Sequence, residues 1–319
     1  MSDQPEILVV GEALIDVVVH RDGSAAEHPG GSPANVALTL GRLGHRPRLL
    51  TWIGADARGR RVEAWLAESG VRVDPASLGT DPTSVATARL DASGAARYEL
   101  DIQWNPRAPS PGPVDLLHIG SISAIAGPGS ALVRRLATSP GPLVSYDPNI
   151  RPGYLPDPDR ARRDVLMLVR AADIVKVSDE DLAWIAPGHD PRRVVAGWLT
   201  HGVGLVIVTR GAGGAAAMIT AGAVEVAAPA VDVADTVGAG DTLMGAFLAA
   251  LLGTVMTGSA AHDPAAVRRG LSVLSLADLE ALLAYGVAAA AVTISRAGAD
   301  PPWPDEIRVR PRTAGRGVR

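Results

Sequence analysis

Cysteine is absent from all 319 residues, which removes disulfides, thiolate metal sites and a cysteine nucleophile from consideration together. Lysine occurs once, at Lys176, and no Gly-Lys-Ser or Gly-Lys-Thr sequence is present, so a Walker-type phosphate loop is ruled out. The amino-terminal Met-Ser-Asp-Gln-Pro-Glu offers neither the basic segment nor the long apolar run of a signal peptide. Apolar stretches elsewhere read as too short or too broken by glycine to cross a bilayer. Charge of either sign is not in excess: 30 basic against 34 acidic residues leave a formal net charge of −4, with no global basic field for nucleic acid or an anionic membrane surface. Any anionic ligand has to be held locally. The expectation is a cytoplasmic protein with no nucleic-acid or membrane partner.

What the chain does contain is a 47% hydrophobic content, ample for a sizeable buried core. Residues 7–10 are a continuous apolar run ending at Gly11, as in a strand buried on both faces of a parallel sheet. Residues 14–19 continue apolar before a polar, glycine-containing stretch that could leave the core. Over 32–43, Val36, Ala37, Leu40 and Leu43 recur at helical spacing, with Ser32 and Pro33 suited to the N-cap and first helical positions. Residues 49–53 read as a strand and 59–69 as a helix. Alternating runs at 85–90 and 95–100, joined by Asp-Ala-Ser-Gly, predict a hairpin.

Strands are then expected at 116–119, 143–146, 174–177 and 205–208, with helices at 129–137 and 160–170 between them. A second hairpin over 215–227 leads to a helix from 240 to 252. After it come a Gly-, Ala- and Ser-rich insertion at 253–275 and an Ala-rich helix at 276–295. No internal repeat is present. This rhythm predicts a doubly wound α/β core.

The strongest chemical signal is Asp235-Thr-Val-Gly-Ala-Gly-Asp241, set directly before the apolar residues Leu243, Phe247, Leu248, Leu251 and Leu252. A glycine-rich turn there opens a helix whose first N–H groups lack partners and whose end carries roughly half a positive charge, a setting suited to phosphoryl oxygens. Gly238 and Gly240 let a phosphate approach the backbone with no Cβ in the way. Asp241 in the first turn would stand beside that group and could take a proton from an attacking alcohol. The plainer alternative is that both acids cap a tight turn.

Asp-Thr-x-Gly-Ala-Gly-Asp resembles the C-terminal signature of the ribokinase-like (PfkB-type) carbohydrate kinases, and Gly30-Gly31-Ser-Pro-Ala-Asn35 resembles that family's sugar-binding segment. The resemblance spans about residues 5 to 302. It implies a three-layer αβα fold with a small β-sheet lid built from segments near 12–28 and 82–107, within a kinase domain of residues 1–302 that leaves an Arg-rich tail at 303–319. It also implies Asp241 as catalytic base, with Gly238, Ala239 and Gly240 as the anion hole. Asp16, Gly31 and Asn35 would then serve the sugar, and closure of the lid would bring Arg97 and Trp104 toward it.

Asp147-Pro-Asn149-Ile-Arg151 is similar to the Asp-Pro-Asn-x-Arg of fructokinase-like and 2-keto-3-deoxygluconate-kinase-like members, which makes Arg151 a candidate for substrate or phosphate. Val208-Thr209-Arg210-Gly211 resembles the segment lining the nucleotide, and 288–293 with 298–302 would form the far wall of the adenine pocket. The family's Asn-x-x-Glu near magnesium is replaced by Ser178 and Asp181, leaving open whether Glu180 or Asp181 serves the metal. ATP, Mg²⁺ and a monovalent cation such as K⁺ near Asp235 are the implied cofactors, and a homodimer through the lid is the implied assembly. Fructose is the favoured acceptor, with ribose, 2-keto-3-deoxygluconate or a nucleoside as alternatives. Two other classes stand beside this reading. Gly211-Ala-Gly-Gly-Ala-Ala216 matches a dinucleotide fingerprint but lacks a following helix pattern, and a non-catalytic sugar-binding regulator would have no use for a base at 241.

Overall fold

The computed structural model describes residues 4–19, 23–90, 96–255 and 262–309. The chain begins with β1 (Ile7–Val10), buried along its whole length, and then leaves the main sheet for β2 (Leu14–Val19) and β3 (Ala25–Gly30). It returns as α1 (Ser32–Arg42), β4 (Arg48–Leu50), β5 (Ile53–Gly54), α2 (Ala57–Glu68), β6 (Arg72–Val73) and β7 (Leu78–Gly79). The expected hairpin follows as β8 (Val85–Leu90) and β9 (Ala96–Asp101), paired antiparallel.

The second half alternates: β10 (Leu116–Gly120), α3 (Ser121–Ile125), α4 (Ser130–Ala137), β11 (Leu143–Asp147), α5 (Pro158–Ala171), β12 (Ile174–Ser178), α6 (Asp179–Ile185), α7 (Pro191–Thr200) and β13 (Leu205–Thr209). An antiparallel pair, β14 (Ala215–Ile219) and β15 (Gly222–Val226), precedes α8 (Ala239–Val255), α9 (Pro264–Ser272) and α10 (Leu276–Ile294).

Nine strands form the central sheet in the order β15-β14-β13-β12-β11-β10-β1-β4-β6, parallel except for β14 and β15. One face packs against α1, α2, α8, α9 and α10 and the other against α3 to α7, giving two hydrophobic clusters and three layers. From β1 the chain winds outward to β4, and it later re-enters on the other side at β10. The crevice at the carboxyl ends of β1 and β10 is therefore the topological switch point where open α/β sheets bind ligands. Over that edge sits the separate four-stranded sheet β3-β2-β8-β9, the small lid sheet expected from segments near 12–28 and 82–107.

Four details depart from the sequence expectation. Residues 49–53 do not form one strand, because buried hydroxyls replace the ladder after Leu50: Thr51 N donates to Ser77 Oγ at 3.0 Å and Ala13 N to Thr51 Oγ1 at 2.8 Å. The polar stretch after 19 includes β3, where Pro29 is tolerated because β3 is an edge strand. The insertion at 253–275 carries α9, started by Pro264 and capped by Asp263, whose side chain accepts from Ala265 N. Finally, α10 is long and apolar enough by length and composition to span a bilayer, contrary to expectation, although half of it is buried against this domain.

α8 has no solvent face: every residue from Asp241 to Leu252 is buried, between α1 and α10. Glycines set both spacings. A Cβ on Gly245 would lie 2.6 Å from Thr39 Cβ of α1, and one on Gly286 of α10 would lie 3.0 Å from Leu243 O. Gly245→Ala should therefore lower stability by about 1–3 kcal/mol through overpacking, despite the better helix propensity of alanine. Thermal denaturation of the variant checks this; a raised Tm would show that α1 can move aside freely.

Candidate active site

The turn before α8 is shaped by Gly238, which has φ +76° and whose Cβ, if present, would lie 2.6 Å from the Ala299 methyl. Thr242 N makes the first helical bond, to Gly238 O at 2.8 Å, so the N–H groups of the residues before it have no i−4 partner within the helix. Asp235 does act as a local tie, as the plainer sequence reading has it: its carboxylate accepts from Val237 N at 3.0 Å and from Gly298 N at 2.9 Å. Asp241 does something else. Only 6% exposed, it reaches across to α1, accepting from Ser32 Oγ at 2.7 Å and from Asn35 Nδ2 at 2.8 Å.

Asn35, expected on the sugar, donates one amide N–H to Asp241, while its Oδ1 stays buried without a partner. Ser32 was read only as a helix start; its hydroxyl is a second hand on the carboxylate. Gly31 is the N-cap of α1 with φ +107°, and a Cβ there would lie 2.5 Å from Glu12 O, so this glycine brings α1 close to the chain leaving β1. Glu12, passed over in the sequence, is buried and accepts from Ser123 N at 3.2 Å, linking the two sides of the switch point. Burial raises its carboxyl above the usual range despite hydrogen bonds from Ser121 and Ser123.

Asp16 lies on β2 of the small sheet, against Gly30, where a Cβ would collide with its carboxylate. Burial pushes its pKa up to about 6; Asp241 and Asp235 add to the rise and Arg151 opposes it. Asp16, Arg151, Asp235 and Asp241 therefore share one electrostatic environment although they come from four segments of the chain. Arg151 is exposed and donates to Asn149 Oδ1 at 2.7 Å and Ile150 O at 3.1 Å, in a turn where Asn149 has φ +40°. The backbone of Arg97 pairs with Arg89 in the β8–β9 hairpin, while its side chain lies outside the described residues. Trp104 does not face the small sheet. It is buried in the core, packed so closely on Gly129 that a Cβ there would lie 2.5 Å from its Nε1.

Beneath α8, at the ends of β11 and β12, Lys176 Nζ donates to Asp147 Oδ2 at 2.9 Å, both side chains almost wholly buried. Burial pushes the Asp147 carboxyl up to about 6, against the pull of Lys176. Burial acts to lower the Lys176 ammonium, and Asp147, Asp241 and Asp181 more than offset it. His118 on β10, hydrogen-bonded through Nδ1 to Ser145 Oγ at 2.7 Å, is held neutral by burial and by Lys176, with a pKa of about 3.

Farther along the sheet edge, Ser178 and Thr209 stand in register at the ends of β12 and β13, and Gly211 begins the next turn with φ +50°. Ser178 caps α6: its Oγ accepts from Asp181 N at 2.9 Å, and Asp181 Oδ2 accepts from Ser178 N at 3.2 Å. The other oxygen of Asp181 accepts from Ile150 N at 2.9 Å. Glu180 is exposed on the same turn. Among the described residues no three acidic or histidine side chains converge as a metal cage. The fingerprint at 211–216 leads into the β14–β15 hairpin and not a helix, which removes the dinucleotide reading.

Comparison with known proteins identifies the family. Residues 4–306 match the model of the pfkB family of carbohydrate kinases. A fructokinase of Rhizobium leguminosarum bv. trifolii is 36% identical over 262 residues, covering 77% of this chain and 79% of that protein. Among solved structures, fructokinase from Xylella fastidiosa superposes with a TM-score of 0.77 at 25% identity, covering 95% of this chain and 97% of that one. A double mutant of fructokinase from Vibrio cholerae O395, solved with fructose, ADP and a potassium ion bound, gives 0.75 at 24% identity, covering 94% and 95%. With the family match spanning nearly the whole sequence, the chain belongs to the pfkB family of carbohydrate kinases.

Proposed function

We propose that this enzyme transfers the terminal phosphoryl group of ATP to a hydroxyl of a small sugar, converting fructose to fructose 6-phosphate. The observation that carries the reading is Asp241: a buried carboxylate in the first turn of a helix whose N-terminus can hold an anion, fixed through both oxygens by Ser32 and Asn35. Each oxygen retains acceptor capacity for a sugar hydroxyl. Asp241 can thus orient the hydroxyl and take its proton as the bond to phosphorus forms. The N–H groups of Gly240 and Asp241, at the partly buried start of α8, would hold the oxygens of the moving phosphoryl group.

Asp16 projects from the small sheet into the same electrostatic environment, which fits a sheet that brings sugar contacts down over the crevice and excludes water. Ser178, Thr209 and Gly211 would line the nucleotide. Magnesium, bound to the triphosphate, would neutralise phosphate charge, with exposed Glu180 the acid free to meet its water shell. Asp181 is committed to α6 and to Ile150. Asp235 is the acid placed to meet a monovalent cation beside the anion hole. A homodimer through the small sheet is the assembly proposed with this reading. Fructose is favoured over ribose, 2-keto-3-deoxygluconate and nucleosides by the Asp-Pro-Asn-Ile-Arg sequence and by the fructokinase relative at 36% identity.

Two outcomes are expected. In an ADP-release assay with MgATP and a panel of fructose, ribose, 2-keto-3-deoxygluconate and adenosine, fructose should give the highest kcat/KM, and Asp241→Asn should lower kcat about 10³-fold with the fold intact. A fully active Asp241→Asn would remove the base from the mechanism. Asp16 must be ionised to accept sugar hydroxyls, and its pKa stands at about 6. Sugar kcat/KM should accordingly fall as pH drops through about 6, and Asp16→Asn should raise the sugar KM and flatten that acid limb. An unchanged limb in the variant would assign it to another group.

A further inference from the structure

Of the 30 lysine and arginine side chains, all but one are arginine. That one, Lys176, is 4% exposed and stands directly under the anion hole: a Cβ on Gly240 would lie 2.7 Å from its Nζ. Its head is pinned by Asp147 at 2.9 Å and has little room to move away. A compact ammonium fits beneath a backbone held so close, where the flat fork of a guanidinium would be wider. Stability alone is a poor reason for the pair, since two buried charges lose so much hydration that well-packed apolar residues often do as well or better. The pair is also left open on one side, with Asp147 Oδ1 buried and unpartnered.

The surrounding charges supply a reason. Asp147, Asp181 and Asp241 all act on Lys176, and the neutral His118 contributes no charge of its own. Without the ammonium, the turn that has to receive a polyanion would open onto three buried carboxylates. We propose that Lys176 is a positioning residue for phosphoryl transfer: held by Asp147, it supplies the fixed positive charge under the Gly240 backbone that lets the start of α8 accept phosphate oxygens beside Asp241. This rests on the reading of that helix start as the phosphoryl site. It also gives Gly240 a second purpose, since its missing Cβ makes room for the ammonium below as well as the phosphate above.

The test compares wild type, Lys176→Met and the double variant Asp147→Asn/Lys176→Met, reading Tm, ADP affinity by calorimetry, and kcat and KM separately. The single variant strands a buried carboxylate and should lose stability. The double variant removes both charges and should recover Tm. If Lys176 acts as inferred, the recovered protein still binds ADP at least about tenfold more weakly than wild type and turns over at least about 100-fold more slowly, with the fructose KM within about threefold. A double variant with wild-type ADP affinity and wild-type kcat overturns the inference and leaves the pair a structural one. ADP affinity keeps the two readings apart. A wild type that binds ADP but phosphorylates no sugar refutes the kinase reading while the ADP comparison still judges Lys176; a wild type that binds no ADP overturns both.

Discussion

A carboxylate buried in the first turn of a buried helix has to be compensated from outside that helix, and much of the architecture around Asp241 follows from this. Its two oxygens are held by Ser32 and Asn35, more than 200 residues earlier, so α1 and α8 must pack at one fixed distance and rotation. Gly245 permits that distance by letting α8 lie against Thr39, and Gly286 lets α10 close on the other side. The helix is apolar all round, so the same burial that anchors it in the core fixes the position of its N-terminus to within side-chain packing tolerance. The geometry around Asp241 is a consequence of core packing and not an addition to it.

The second constraint is charge. Asp16, Asp147, Asp181, Asp235 and Asp241 come together around the start of α8, and each is moderated differently. Asp235 and Asp181 are tied to backbone N–H groups, Asp241 to neutral donors, Asp147 to Lys176, and Asp16 is left with the distant charge of Arg151 and a raised pKa. The least compensated acid lies on the small sheet, on the side from which the sugar would come. An acid that has lost water and gained few partners has the most to gain from ligand hydroxyls.

The switch point of the sheet makes this assembly available. β1 ends between β4 and β10, so the chain leaving β1 into β2 and the chain leaving β10 into α3 diverge above a crevice, and Glu12 bridges them through Ser123. The carboxyl ends of β11, β12 and β13 continue the same edge with Asp147, Ser178 and Thr209. Sugar, phosphoryl and nucleotide subsites can thus follow one another along a single edge of one sheet.

The sequence by itself determined the elements whose signals are local. The strand and helix alternation, the β8–β9 and β14–β15 hairpins, and the glycine-rich start of α8 with Asp241 were legible because each is carried by adjacent residues with a fixed period or turn chemistry. Where side-chain hydroxyls took over from a ladder, at Thr51 and Ser77, or where a polar edge strand had only one neighbour, as in β3, periodicity had nothing to report. The tertiary structure alone decided the partners of the site. Lys176 was conspicuous as a solitary lysine, yet its meeting with Asp147 depends on the pairing of β11 with β12, and its place under Gly240 on how α8 crosses them. Likewise the bond from Asn35 Nδ2 to Asp241 depends on how α1 packs on α8. Such contacts join residues far apart along the chain, and their distances are set by the packing of whole elements, which no local pattern encodes.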